Sequence, residues 1–233
     1  ACLVLSGTQD RGFLTHRGAL ANFSPLHLPV NSILASSSHL HLAGYFNLPK
    51  FWCPATAELL VKAQKDGLTT SLNPQFDASL RWELPGAVLA ALDVLLLSEY
   101  EARQIAGRRV ASGDLSRVAD WFLARGVGVV VVTRGAHGAV AFVRVRGAQG
   151  TAGEHRSLPR SFVEPSVPVE HVVDTTGAGD AFNAGFLDAW LRAGAWRGGD
   201  GAIRAGLRLG TRLGAACVET EGASAALEVD SEE

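Results

Sequence analysis

The chain predicts an α/β protein with a mostly parallel central sheet between two layers of helices, a three-layer α/β/α sandwich. Three observations carry that expectation. Short apolar runs bounded by turn residues alternate with longer stretches at helical spacing, the order that βαβ units produce. Two of the runs, residues 94–97 and 127–132, are apolar on both alternating faces, as strands covered by helices on each side must be. A Gly-Ala-Gly turn at residues 177–179 follows the apolar pair Val172 and Val173 and leads into a pattern in which Phe182, Phe186, Ala189 and Trp190 share one helix face.

Taken in order, strands are expected at residues 3–6, 12–15, 39–42, 68–72, 94–97, 127–133 and 139–145, with a short one at 172–173. Helices are expected at residues 55–66, 99–106, 115–125, 180–193 and 201–218. Residues 12–17 and 144–160 are mixed and polar, with Gly, Ser and Pro punctuation, and read as edge strands or long loops. The acidic end, residues 228–233, is expected to fray. No repeat or low-complexity linker divides the chain, so residues 1–233 are expected to form one domain.

Composition narrows the partners. Lys+Arg 21 against Asp+Glu 23 gives a formal net charge of -2, which supplies no field for nucleic acid or anionic lipid. A small molecule is the expected partner. Cys2, Cys53 and Cys217 are widely spaced and odd in number, which argues against a disulfide scaffold or zinc site and for a reducing compartment. No apolar run approaches the roughly 18 residues of a membrane helix. The cytoplasm is the expected location, with an organelle as the alternative. Methionine is absent and the first residues already read as a strand, so the chain is expected to be a fragment or a short form.

The chemistry concentrates late in the chain. A Gly-Ala-Gly turn before a helix leaves the first backbone N–H groups directed outward, with the positive end of the helix dipole behind them. Such a turn is an anion hole. Asp180, the next residue, can take a proton from an attacking hydroxyl while the hole stabilises charge on a moving phosphoryl group. The plainer alternative is a turn whose Asp180 only complements the dipole.

The run Asp174-Thr175-Thr176-Gly177-Ala178-Gly179-Asp180-Ala181-Phe182 resembles the C-terminal signature of the ribokinase-like (PfkB) carbohydrate kinases, D-T-x-G-A-G-D-x-F. The resemblance implies a ribokinase-like fold, catalysis by Asp180 with Gly177, Ala178 and Gly179, and Asn183 on the nucleotide side. Thr133-Arg134-Gly135-Ala136-His137-Gly138 is similar to the family's T-x-G-x-x-G loop, which implies nucleotide binding by Thr133, Gly135 and Gly138; alone it reads as a hairpin. Ser98-Glu99-Tyr100-Glu101 looks like the family's N-x-x-E motif with Ser98 in place of Asn, implying that Glu101 organises magnesium through water; Ser-x-x-Glu is equally a capping box.

Further matches implied by the resemblance are weaker. Asp174, Thr176 and the loop ending at Gly222 stand where some members hold potassium, although the polar residue found four positions later is Ala226 here. Leu72-Asn73-Pro74-Gln75-Phe76-Asp77 is similar to D-x-N-x-R but carries Asn73 for Asp and Asp77 for Arg, so strongly anionic substrates are not expected. His39 and His41 alternate on one strand and read as packed or hydrogen-bonded side chains rather than a metal site, and Tyr45 at that strand's end is a candidate substrate neighbour. Residues 11–19 resemble the second part of the family's lid, so residues 1–20 are expected to be a lid remnant whose first strand, substrate Asp and G-G-x-x-x-N segment are missing.

The expectation is thus an ATP- and Mg2+-dependent kinase, with K+ as a further cation, that phosphorylates a hydroxyl of a sugar or nucleoside. Dimerisation through lid strands is implied by resemblance. The alternative is a catalytically silent or truncated ribokinase-like protein acting as a binding or regulatory partner. A dinucleotide-binding dehydrogenase is excluded, because Phe182 stands where the third Gly of its fingerprint belongs.

Overall fold

The computed structural model describes residues 2–6, 11–143 and 159–222. The chain divides into two compact units, Ala1–Asp93 and Val94–Glu233. The first opens with an antiparallel pair, β1 (Cys2–Ser6) and β2 (Arg11–Thr15), in which Leu3 faces Leu14 across the ladder. A short helix α1 (Val30–Ala35) precedes β3 (His39–Ala43). Helix α2 (Pro54–Lys65) then leads to β4 (Thr69–Asn73), which runs parallel to β3, and α3 (Gly86–Ala90) closes the unit. Leu34, Ala63 and Leu68 form a small core with Val30 and Leu40.

The β3–β4 pair explains the two alternating histidines. Nδ1 of His39 lies 2.7 Å from Thr69 Oγ1, its Nε2 lies 2.7 Å from Ser71 Oγ, and His41 Nδ1 lies 2.7 Å from the same Ser71 oxygen. They are hydrogen-bonded across the ladder, as expected of the sequence. Burial, with repulsion from His41, pulls the His39 pKa down to about 4, only partly opposed by Asp93.

The second unit begins with β5 (Val94–Ser98), α4 (Glu99–Ala106), α5 (Arg108–Ala111) and α6 (Leu115–Leu123). Strand β6 (Val129–Thr133) lies parallel to β5, and β7 (Ala139–Val143) and β8 (Arg160–Glu164) add on antiparallel. Helices α7 (Ala178–Arg192) and α8 (Gly199–Val218) follow. Both faces of β5 and β6 are buried: Val94, Leu96, Val129 and Val131 join Phe182, Phe186, Trp190 and Leu207 in one core, while the alternate residues Leu95, Leu97, Val130 and Val132 point the other way, where α4 and α6 pack.

Glycines set how closely α7 and α8 approach. A Cβ on Gly206 would lie 2.8 Å from Phe186 Cδ2, and one on Gly210 would lie 2.9 Å from Phe182 Cε2. The two aromatic rings therefore lie against bare backbone, and the seam fixes the helix whose first turn carries Asp180.

Two expectations are corrected. Residues 172–173 form no strand; Val173 N–H instead donates to the carbonyl of Val218 at the end of α8 (2.8 Å), and both valines are exposed. Tyr45 is buried in the first unit, T-shaped against Phe46, with its pKa pushed up to about 12 by burial and by Cys53, so it packs rather than faces a ligand. The expectations for residues 144–158, Ala226 and 228–233 fall outside the described residues.

Candidate active site

The residues singled out for chemistry lie in the second unit, and parallel register brings the first of them together. Ser98 at the end of β5 faces Thr133 at the end of β6, and Thr133 Oγ1 reaches the Leu97 carbonyl at 3.5 Å. C-terminal strand ends are where ligands meet open α/β sheets. The chain turns into α4 after Ser98 and into the β6–β7 hairpin after Thr133.

Ser98 and Glu101 form a complete capping box: Glu101 N–H donates to Ser98 Oγ (3.2 Å) and Ser98 N–H donates to Glu101 Oε2 (2.8 Å). Glu101 is largely enclosed, and burial pushes its carboxyl pKa up, opposed by the Ser98 hydrogen bonds and reinforced by the charge of Asp180. That repulsion places the first turns of α4 and α7 within electrostatic reach.

The hairpin turn is closed by Arg134 N–H on the Gly138 carbonyl (2.8 Å) around a 3-10 turn, Gly135–His137. Its two glycines are there for different reasons. Gly135 has φ +53 and nothing within 4 Å of the position a Cβ would take. Gly138, at φ +76, would place a Cβ 2.1 Å from the Glu164 carbonyl oxygen and 2.6 Å from Ser166 N. Gly138 thus answers to the close approach of the chain leaving β8, whereas Gly135 borders open space.

At α7 the turn is left-handed at Gly177 (φ 82, ψ -10). Ala178 N–H turns back to the Thr175 carbonyl at 3.4 Å, and Ala181 N–H starts the helical ladder on Gly177 at 2.8 Å. Between them Gly179 faces open space, with nothing within 4 Å of its Cβ position, and Asp180 is exposed in the first turn. Asn183 is buried one turn further along.

Beneath this turn, Asp174 fixes the loop: Oδ1 accepts from Thr176 N–H (2.8 Å) and Oδ2 from Gly222 N–H (3.3 Å). Cys217 Sγ–H donates to the Thr176 carbonyl (3.4 Å); burial, then Asp174 and Asp180, push the thiol pKa up. Asp174 thus ties Thr176 and Gly222 into one loop cluster through its two carboxylate oxygens. Among the described residues no group of three or more His, Cys, Asp or Glu is arranged to hold a metal ion.

Two charged residues escaped the sequence reading. Glu99 Oε1 accepts from Arg103 Nε (3.0 Å) and Nη2 (2.6 Å), while Glu99 Oε2 accepts from Arg134 Nε (3.1 Å). The available signal was the register: Glu99 and Arg134 each follow one member of the Ser98–Thr133 pair. In the first unit, Asp77 turns onto its own loop, accepting from Ser79 N–H and Oγ–H and from Trp82 N–H. Burial alone would raise its carboxyl pKa, but these hydrogen bonds and one from Arg81 outweigh it and hold it low.

Ser98 and Thr133 thus end neighbouring strands, and the charge of Asp180 acting on Glu101 links α4 to the start of α7. The sequence profile described as pfkB family carbohydrate kinase matches residues 1–230, and the chain belongs to that family. An ATP-dependent ribose-1-phosphate kinase of Halopiger xanaduensis is 29% identical over 199 residues, covering 85% of this chain and 54% of the relative. An adenosine kinase of Dictyostelium discoideum is 27% identical over 203 residues, covering 82% and 55%. The chain thus spans about half the length of these curated relatives. Among solved structures, an Arabidopsis thaliana ribokinase complexed with ribose and ATP superimposes with TM-score 0.73 at 20% identity, covering 97% of this chain and 64% of the other. A putative ribokinase II of E. coli in complex with ATP and magnesium gives 0.65 at 26%, covering 95% and 66%. The fold is ribokinase-like, a three-layer α/β/α sandwich with a mostly parallel sheet.

Proposed function

We propose that this chain carries the phosphoryl-transfer centre of an ATP-dependent kinase acting on a hydroxyl of a sugar or nucleoside. The observation that carries the reading is the start of α7, where an exposed Asp180 adjoins a left-handed Gly177 and an unobstructed Gly179. Gly177, Ala178 and Gly179 hold the anionic phosphoryl oxygens with backbone amides, and Asp180 takes the proton of the attacking hydroxyl. Thr133 and Gly135 lie on the nucleotide side, with Ser98 and Asn183 as supports. One family profile spanning residues 1–230 supports reading both units as one kinase domain.

Magnesium suits Glu101, whose enclosed carboxylate is disfavoured by burial and by Asp180, so a nearby divalent ion would relieve both. When bound, it would neutralise charge on the nucleotide phosphates. Asp174, Thr176 and Gly222 would hold K+, but the fit is partial: both Asp174 oxygens accept amides and the Thr176 carbonyl takes the Cys217 hydrogen. Leu3, Leu5 and Leu14 are exposed on the β1–β2 pair, which supports dimerisation through it; a monomer at assay concentration in sedimentation removes that part of the reading. Among the described residues no helix is long and apolar enough to cross a membrane.

The test is ADP release from ATP over a panel of sugars and nucleosides, with and without magnesium and potassium. Substrate-dependent release that falls by about a hundredfold or more in Asp180→Asn, with fold and ATP binding kept, is expected for loss of a general base. Equal turnover in the variant removes Asp180 from the mechanism.

A further inference from the structure

Resting on the kinase reading above, we infer that Arg134 is a further nucleotide-binding residue, held by Glu99 so that its two terminal amino groups meet the polyphosphate. The guanidinium engages Glu99 through Nε alone (3.1 Å), and no described acceptor takes Nη1 or Nη2. Glu99 is itself immobilised from the other side by two bonds from Arg103, whose Nη1 also donates to the carbonyls of Ala111 (2.6 Å) and Gly113 (3.0 Å). Two guanidinium groups thus share one carboxylate, and the cluster of three carries a net charge of +1 by this count.

The surplus positive charge is on the open side. Arg103 is tied to four acceptor contacts within its own helical region, so Arg134 is the member with donors to spare. It sits between Thr133 and Gly135, beside the space left clear at Gly135. A planar guanidinium fixed through Nε keeps Nη1 and Nη2 as a fork suited to phosphate oxygens. Anchoring through Glu99 limits the side-chain freedom lost on binding, which raises affinity. An exposed ion pair of this kind contributes little to folding, so its substitution should leave the fold intact.

The chain, Arg134→Gln, Arg134→Lys and Glu99→Gln would be compared for binding of ATP, ADP and adenosine by calorimetry. In Arg134→Gln, ATP and ADP affinities are expected to fall by about tenfold or more, the loss of one charge-assisted contact, while adenosine affinity, wherever adenosine binds, stays put. Arg134→Lys should recover only part of the loss, and Glu99→Gln should cost a smaller factor by freeing the fork. Unchanged ATP binding in Arg134→Gln, or an equal fall for adenosine, overturns the assignment while leaving the kinase reading standing. Failure of the unmodified chain to bind ATP at all overturns the reading and the assignment together.

Discussion

At the scale of single residues, the two glycine-rich turns have separable physics. Gly138 sits at a φ and ψ that only glycine tolerates well, against backbone atoms that cannot move aside. Gly138→Ala should therefore cost about 3 kcal/mol or more of stability, read as a drop in the urea midpoint. Gly179→Ala meets nothing, and a helix start accepts alanine, so stability should stay within about 1 kcal/mol while turnover drops at least about tenfold if phosphoryl oxygens approach that backbone. Normal turnover in a stable Gly179→Ala would argue against the anion hole. From sequence alone both glycines looked ligand-facing, because spacing reports that a side chain is absent and not what occupies its place.

At the scale of elements, the α7–α8 seam makes the sharpest demand. Phe182 lies 2.9 Å from where Gly210 would carry a Cβ, so Gly210→Val must push α8 away, at an expected cost of about 3 kcal/mol or more. Activity should fall with it, since the start of α7 moves; a fully stable variant would show the seam to be looser than its geometry. Most of the long elements were legible in the sequence. β5 and β6 announce themselves by continuous apolar runs, and α7 by its aromatic face. Helices α1, α3 and α5 were not, being four to six residues long and too short to show a period. Strand β8 hid because only Phe162 of Arg160–Glu164 is buried, leaving an edge strand that reads as polar loop. The valine pair at 172–173 misled in the opposite direction, since its bonds go to a helix end. Within the site, Ser98 and Glu101 appeared under two readings, and the capping box is the one whose bonds are visible.

For the whole molecule, acid stability should depend on the first unit's histidine ladder. His39 titrates near 4 in the fold against 6.5 when unfolded, so between those values the unfolded chain binds the extra proton. Its contribution is complete above pH 6.5 and is lost as pH falls through 4, by up to about 3 kcal/mol. Denaturant titrations across that window should show a slope that His39→Gln flattens; parallel curves for the two proteins would mean that the ladder is not held neutral. A different lesson lies in the hairpin glycine packed beneath Glu164 and Ser166. Because architecture alone demands Gly138, natural selection would retain it in descendants that had stopped turning over substrate. Its presence is thus a poor marker for sorting working enzymes from retired ones, whereas Gly179, whose Cβ position is open, would be free to drift wherever the proposed anion hole is not in use.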